Sequence, residues 1–176
     1  DIIVTGVRVA SLGHPEGVGK GGLGMLEETR LGVDEALSAI TAVREKATEV
    51  ERPLAVAVVD KSGELISALR MDGLAPRFLD GAIRKAYTAA IFERDTTALR
   101  QWWQDVESSQ LDWNDRMITT LAGGLVVVSG KKVVGGIGVS GGTQAKAPGG
   151  PIRDVDAAEV GLNAMGLGLT HREGAS

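Results

Sequence analysis

The run Leu125-Val126-Val127-Val128, the turn Ser129-Gly130-Lys131 and the return run Lys132-Val133-Val134-Gly135-Gly136-Ile137-Gly138-Val139 read as a β-hairpin, prolonged by Ser140-Gly141-Gly142. The return strand is unusually rich in glycine. Each interior glycine weakens a strand by roughly 0.5–1 kcal/mol, so the pattern needs a local cause. Two causes are open. Either a helix packs so closely on the strand that a side chain would collide, or a ligand approaches there, with the amides of Gly141, Gly142 and Thr143 turned toward an anion.

Working outward, a second hairpin precedes it: Leu54 to Val59, the turn Asp60-Lys61-Ser62-Gly63, then Glu64 to Arg70. Helical periodicity covers 27–50, where Val33, Ala36, Ile40, Val43, Ala47 and Val50 recur at three- and four-residue steps. Pro76 stands where a further helix begins, over 77–94. Thr96 or Thr97 caps a shorter one carrying Leu99, Trp102 and Trp103. Residues 104–114 read as loop and 116–121 as one more helical turn. Asp154 or Asp156 opens the last helix, with Val155, Ala158, Leu162, Met165 and Leu169 on one stripe. Hairpins rather than single strands alternate with the helices. The expected class is therefore α+β, an antiparallel sheet with helices packed on it. Residues 1–26, with a short apolar start and a glycine-rich stretch, read as an N-terminal arm; 27–176 read as one domain.

Composition narrows the function. The 176 residues suit a single domain, and the 25 glycines against 3% aromatics mean that small residues do much of the packing. A net charge of −4 without a basic run argues against a nucleic-acid surface. No apolar stretch has the length of a membrane span, and cytoplasm is the default location. The absence of cysteine excludes disulfides, thiolate catalysis and zinc–sulfur sites. Gly19-Lys20 lacks the spacing and the Ser/Thr of a phosphate-binding loop. The two histidines, His14 and His171, lie near the termini and form no metal-ligand pattern, so no metal site is expected.

Lys85 is the sharpest chemical candidate. With Phe78, Ala82, Ala89 and Phe92 it falls within a stripe of ~80° on its helix, so it interrupts an apolar seam. Such a lysine can bind an anion or, with its pKa lowered by desolvation, act as a base; alternatively it snorkels to water from the edge of the face. Asp72 follows a strand end and precedes glycine, a position suited either to a catalytic carboxylate or to a turn. Arg70 can clamp a ligand carboxylate or simply pair with Asp72. Of Trp102 and Trp103, one belongs in the core and the other covers a pocket or an interface. Ser140 lacks the spacing and the histidine partner of a nucleophile elbow.

Three ordered motifs resemble the GlcG/HbpS family of haem-binding and proposed haem-degrading proteins, and the related PduO C-terminal domain. They are Ala57-Val58-Val59-Asp60 through Arg70-Met71-Asp72-Gly73, Ala82-Ile83-Arg84-Lys85-Ala86-Tyr87-Thr88-Ala89, and Val134 through Gly142; residues 157–164 add the last helix. The resemblance spans roughly residues 33–167. It implies a profilin-like fold and a homo-oligomer, often an octamer, binding haem or a corrinoid or serving catabolism. Within this stretch the chain has no histidine to serve as an axial ligand.

Two functions are therefore expected in competition. The first is binding of an anionic ligand, such as haem or another tetrapyrrole, by Arg70, Lys85, Gly138, Ser140, Gly141 and Gly142. The second is metal-free catabolic chemistry (hydrolysis, isomerisation or a lyase reaction) on a small carboxylated molecule, with Lys85 or Asp72 as the acid/base and the Gly141 and Gly142 amides stabilising a developing oxyanion.

Overall fold

Strand β1 (Ala55–Asp60) alternates alanine and valine, and the alternation sorts the whole molecule. In the computed structural model, which describes residues 28–143 and 152–167, Val56 and Val58 face one layer of helices, and Ala55, Ala57 and Val59 face another. The elements follow as α1 (Val33–Glu49), β1, β2 (Leu65–Arg70), α2 (Arg77–Ile91), α3 (Thr96–Asp105), a 3₁₀ turn (Gln110–Trp113), β3 (Gly124–Ser129), β4 (Lys132–Ser140) and α4 (Asp154–Ala164). The four strands form one antiparallel sheet in the order β2-β1-β4-β3, so the two hairpins join through β1 and β4. The fold is α+β, as the alternation of hairpins and helices implies.

On one face of the sheet, α1 and α4 bury Ala36, Ala39, Ile40, Val43, Ala157, Ala158 and Leu162 against Val127, Ile137 and Val139. On the other face, Ala82, Ala86 and Ala90 of α2 lie on Ala55, Ala57 and Val59. The glycine-rich strand finds its cause here. A Cβ at Gly136 or Gly138 would run into the carbonyl oxygens of Ala86 or Ala82, and one at Gly124 into that of Lys85. The helix backbone rests directly on the sheet backbone, which is the close-packing alternative.

The Asp60–Gly63 turn closes through the Asp60 carboxylate, which accepts hydrogen bonds from the Ser62 and Glu64 amides at 2.8 and 3.0 Å; Gly63 has φ +81°. Two details differ from the sequence expectation. Val33 is 55% exposed, because it begins α1 before the buried stripe. Residues 116–121 form turns and irregular chain rather than a helical turn. They dock on α2 instead: the Thr119 amide donates to Thr88 Oγ1 at 2.9 Å and Arg84 Nη2 to the Ile118 carbonyl at 2.8 Å. Of Trp102 and Trp103 the core one is Trp103, which joins a small cluster with Leu99 and Ile118; half-buried Trp102 lies 5.3 Å under the Arg94 guanidinium. The N-terminal arm, His14 and His171 lie outside the described residues.

Candidate functional site

Because α2 sits so close to the sheet, the side chain of Lys85 has no route to water. It is 1% exposed, which removes the snorkelling alternative. Its ammonium donates to the Val139 carbonyl at 2.8 Å and to Asp154 Oδ2 at 2.7 Å. The other carboxylate oxygen, Asp154 Oδ1, accepts the Gly142 amide at 2.7 Å. Burial pushes the Lys85 pKa down, and the adjacent Asp154 carboxylate opposes that shift. The cation and the amide that the sequence offers to an anion thus meet one that the chain itself supplies.

Asp154 does two jobs at the start of α4. Its charge suits a helix N-terminus, the role its sequence position suggests, and its side chain turns inward to Lys85. Glycines clear the space around the pair. A Cβ at Gly123 would stand 2.6 Å from the Asp154 Cβ, and one at Gly142 would stand 2.9 Å from its Oδ1. Sequence reading places Lys85 correctly in an apolar seam but gives no means of choosing its partner, 69 residues away.

The remaining candidates separate into two places. Gly138 lies under α2, and the buried Ser140 hydroxyl would stand 3.0 Å from a Cβ at Gly81, on the same helix. Gly141, at φ +115°, accepts a hydrogen bond from Arg52 Nε at 2.9 Å. Arg70 and Asp72 instead line an open groove of about 580 Å³ between the end of β2 and the outer face of α1, with Leu69, Met71, Arg44, Glu45 and Thr48. Lys85 is not in that lining. Arg70 Nη1 donates to the Leu74 carbonyl rather than to Asp72. Arg44, which nothing in the sequence pattern singles out, stands on the exposed face of α1 and brings a second guanidinium to the groove.

Among the described residues, no group of three histidine, cysteine, aspartate or glutamate side chains is placed to hold a metal ion, and no helix is long and apolar enough to cross a membrane. The lining of the groove carries two guanidiniums, Arg44 and Arg70, two carboxylates, Glu45 and Asp72, and the apolar side chains Leu69 and Met71.

Comparison with known proteins places these features in a family. Residues 31–147 match the family model described as haem-degrading protein HbpS-like. An uncharacterised 15.0 kDa protein of the dhaT–dhaS intergenic region of Citrobacter freundii is 37% identical over 105 residues, covering 58% of this chain and 73% of its own. Protein GlcG of Escherichia coli K12 is 32% identical over 105 residues, covering 60% and 77%. The crystal structure of a double mutant of Streptomyces reticuli HbpS superimposes with a TM-score of 0.69 at 31% identity, covering 90% of this chain and 99% of that one. With two thirds of its length matched in the order that the fold requires, the chain belongs to the GlcG/HbpS, or HbpS-like, family.

Proposed function

We propose that this protein binds an anionic small molecule with an apolar body, of the tetrapyrrole dicarboxylate class that includes haem, in the groove between α1 and the end of β2. The observation that carries this reading is the convergence of Arg44 and Arg70, from two separate elements, on one groove whose walls also include Leu69 and Met71. Its volume of about 580 Å³ lies within the usual range for small-molecule sites. The description of the family names haem, which supports the same class. Glu45 and Asp72 share the groove and repel carboxylates, so they restrict the orientations in which a dicarboxylate can lie.

The chain's own contribution is binding and orientation. Arg44 and Arg70 hold carboxylates; Leu69 and Met71 cover apolar surface. Haem, when bound, supplies an iron centre with ligand-binding and electron-transfer chemistry. The acid–base alternative is less favoured at Lys85, whose ammonium is buried between α2 and the sheet and hydrogen-bonded to Asp154. Family membership also supports assembly as a homo-oligomer, which light scattering of the purified chain measures directly.

Haemin titration followed in the Soret region tests the reading. We expect saturable uptake, weakened about tenfold or more by Arg44→Ala, the scale of losing a hydrogen bond to a charged group. Arg70→Ala should weaken it similarly, although it also removes the link to Leu74. Non-saturating uptake, or uptake indifferent to both substitutions, overturns it.

A further inference from the structure

A second concavity, of about 390 Å³, lies at the 3₁₀ turn and the residues that follow it, within the usual range for small-molecule sites. Its lining, Gln110, Leu111, Asn114, Asp115 and Arg116, has no residue in common with the groove beside α1. The backbone here is firmly held. Asp112 Oδ2 accepts the Ser109 amide at 2.7 Å, Asp115 Oδ2 accepts the Tyr87 hydroxyl at 2.8 Å, and Asp115 Oδ1 accepts the Met117 amide at 2.8 Å. The Arg84 link to the Ile118 carbonyl ties the same segment to α2. Its recognition groups, by contrast, are unspent. Among the described residues, the side chains of Gln110, Asn114 and Arg116 make no hydrogen bond or ion pair. Asp115 is engaged but not exhausted, because an ionised carboxylate has about four acceptor positions.

We infer that this concavity binds a free α-amino acid with a polar side chain, as the zwitterion. The lining carries one cation and one anion, on adjacent residues of a fixed backbone, and an α-amino acid carries its two charges on either side of a single carbon. Arg116 takes the α-carboxylate, which a guanidinium can hold through two parallel hydrogen bonds, and Asp115 takes the α-ammonium. The primary amides of Gln110 and Asn114 both donate and accept, so they match a side-chain amide or hydroxyl. Leu111, 88% exposed, covers the aliphatic carbons. A simple anion fits less well because Asp115 repels it, and a simple cation because Arg116 does. The amino acid satisfies both.

The full chain is titrated calorimetrically with L-glutamine, and we expect saturable uptake at one per chain. Glutaramate lacks the ammonium and glutaminamide lacks the carboxylate. Each should bind about tenfold or more weaker, the scale of losing a hydrogen bond to a charged group. Arg116→Ala and Asp115→Asn should weaken glutamine by a similar factor. Arg116 is exposed and unbonded, so its variant keeps the wild-type unfolding midpoint, and Asp115→Asn retains an acceptor for the Tyr87 hydroxyl. Absence of saturable uptake of glutamine, asparagine, serine and threonine alike overturns the inference. So does uptake that glutaramate or glutaminamide equals, or that neither substitution weakens.

Discussion

Lys85 on α2 and Asp154 at the first position of α4 form an ion pair of 2.7 Å with side chains only 2% and 3% exposed, 69 residues apart in sequence. The pair ties together three elements from both faces of the sheet, because Lys85 also reaches Val139 on β4 and Asp154 also holds the Gly142 amide. Bringing two charges into such a site costs desolvation energy that their attraction repays only with good geometry. Here the remaining hydrogen bonds supply it.

Removing one partner should therefore hurt more than removing both. Asp154→Ala or Lys85→Met leaves an uncompensated buried charge or carboxylate, and we expect a loss of about 3–5 kcal/mol in denaturant unfolding. The double variant Lys85→Met with Asp154→Leu should recover much of that loss. If the double variant is as unstable as the sum of the singles, the pair contributes no coupling. The same double variant should still take up haemin with the wild-type affinity, since neither residue lines the groove.

The lowered pKa of Lys85 also gives the pair an alkaline signature. In the window between that lowered value and the unfolded value near 10.5, the unfolded chain binds a proton at Lys85 that the folded chain has released. Stability rises with pH wherever the unfolded state binds more protons, so Lys85 contributes a rising component across this window. Unfolding free energy measured against pH should show that component in the wild type and lack it in Lys85→Met. An identical slope in both proteins would place the Lys85 titration where it lies in the unfolded chain.

Much of the scaffold is legible in the sequence, and the reasons are local. The turn Asp60–Gly63 carries its own hydrogen-bond acceptor, and the short apolar run that precedes it announces a strand. The segment 116–121 is not legible, because its conformation is set by Thr88 and Arg84 on another element. The site divides in the same way. Lys85 stands out because a charge breaks an apolar stripe, and Arg70 and Asp72 because they end a hairpin. Asp154 looks like any helix-opening carboxylate, and Arg44 like any cation on an exposed helix face. Their places, at the ion pair and in the groove wall, arise only when the fold brings distant elements together.

The packing of α2 on glycine predicts a graded cost for added methyl groups. Gly138→Ala places a Cβ against the Ala82 carbonyl oxygen, backbone on backbone, with no flexible side chain to yield. We expect at least the 1–3 kcal/mol typical of overpacking, read as a fall in the denaturant midpoint. Gly130→Ala is the control. Nothing lies within 4 Å of its Cβ, so only the strain of its φ of +60° remains, about 1–2 kcal/mol. Should Gly138→Ala prove as mild as Gly130→Ala, α2 can lift from the sheet without penalty.

Tyr87 is the only tyrosine in the chain, so its ionisation can be followed alone by ultraviolet absorbance. Its hydroxyl donates to Asp115 Oδ2 at 2.8 Å, and this hydrogen bond, more than burial, holds its pKa above the ordinary value near 10. The interaction joins α2 to the loop that precedes β3. A folded pKa above the unfolded one means that this stabilisation is fully present below about pH 10 and is lost as pH rises through the raised value. The titration midpoint should therefore exceed that of the urea-unfolded chain, and Asp115→Asn should bring it back toward 10 by removing both the anionic acceptor and its charge. A midpoint unmoved by Asp115→Asn would show that burial at α2, rather than the link to the loop, controls the proton.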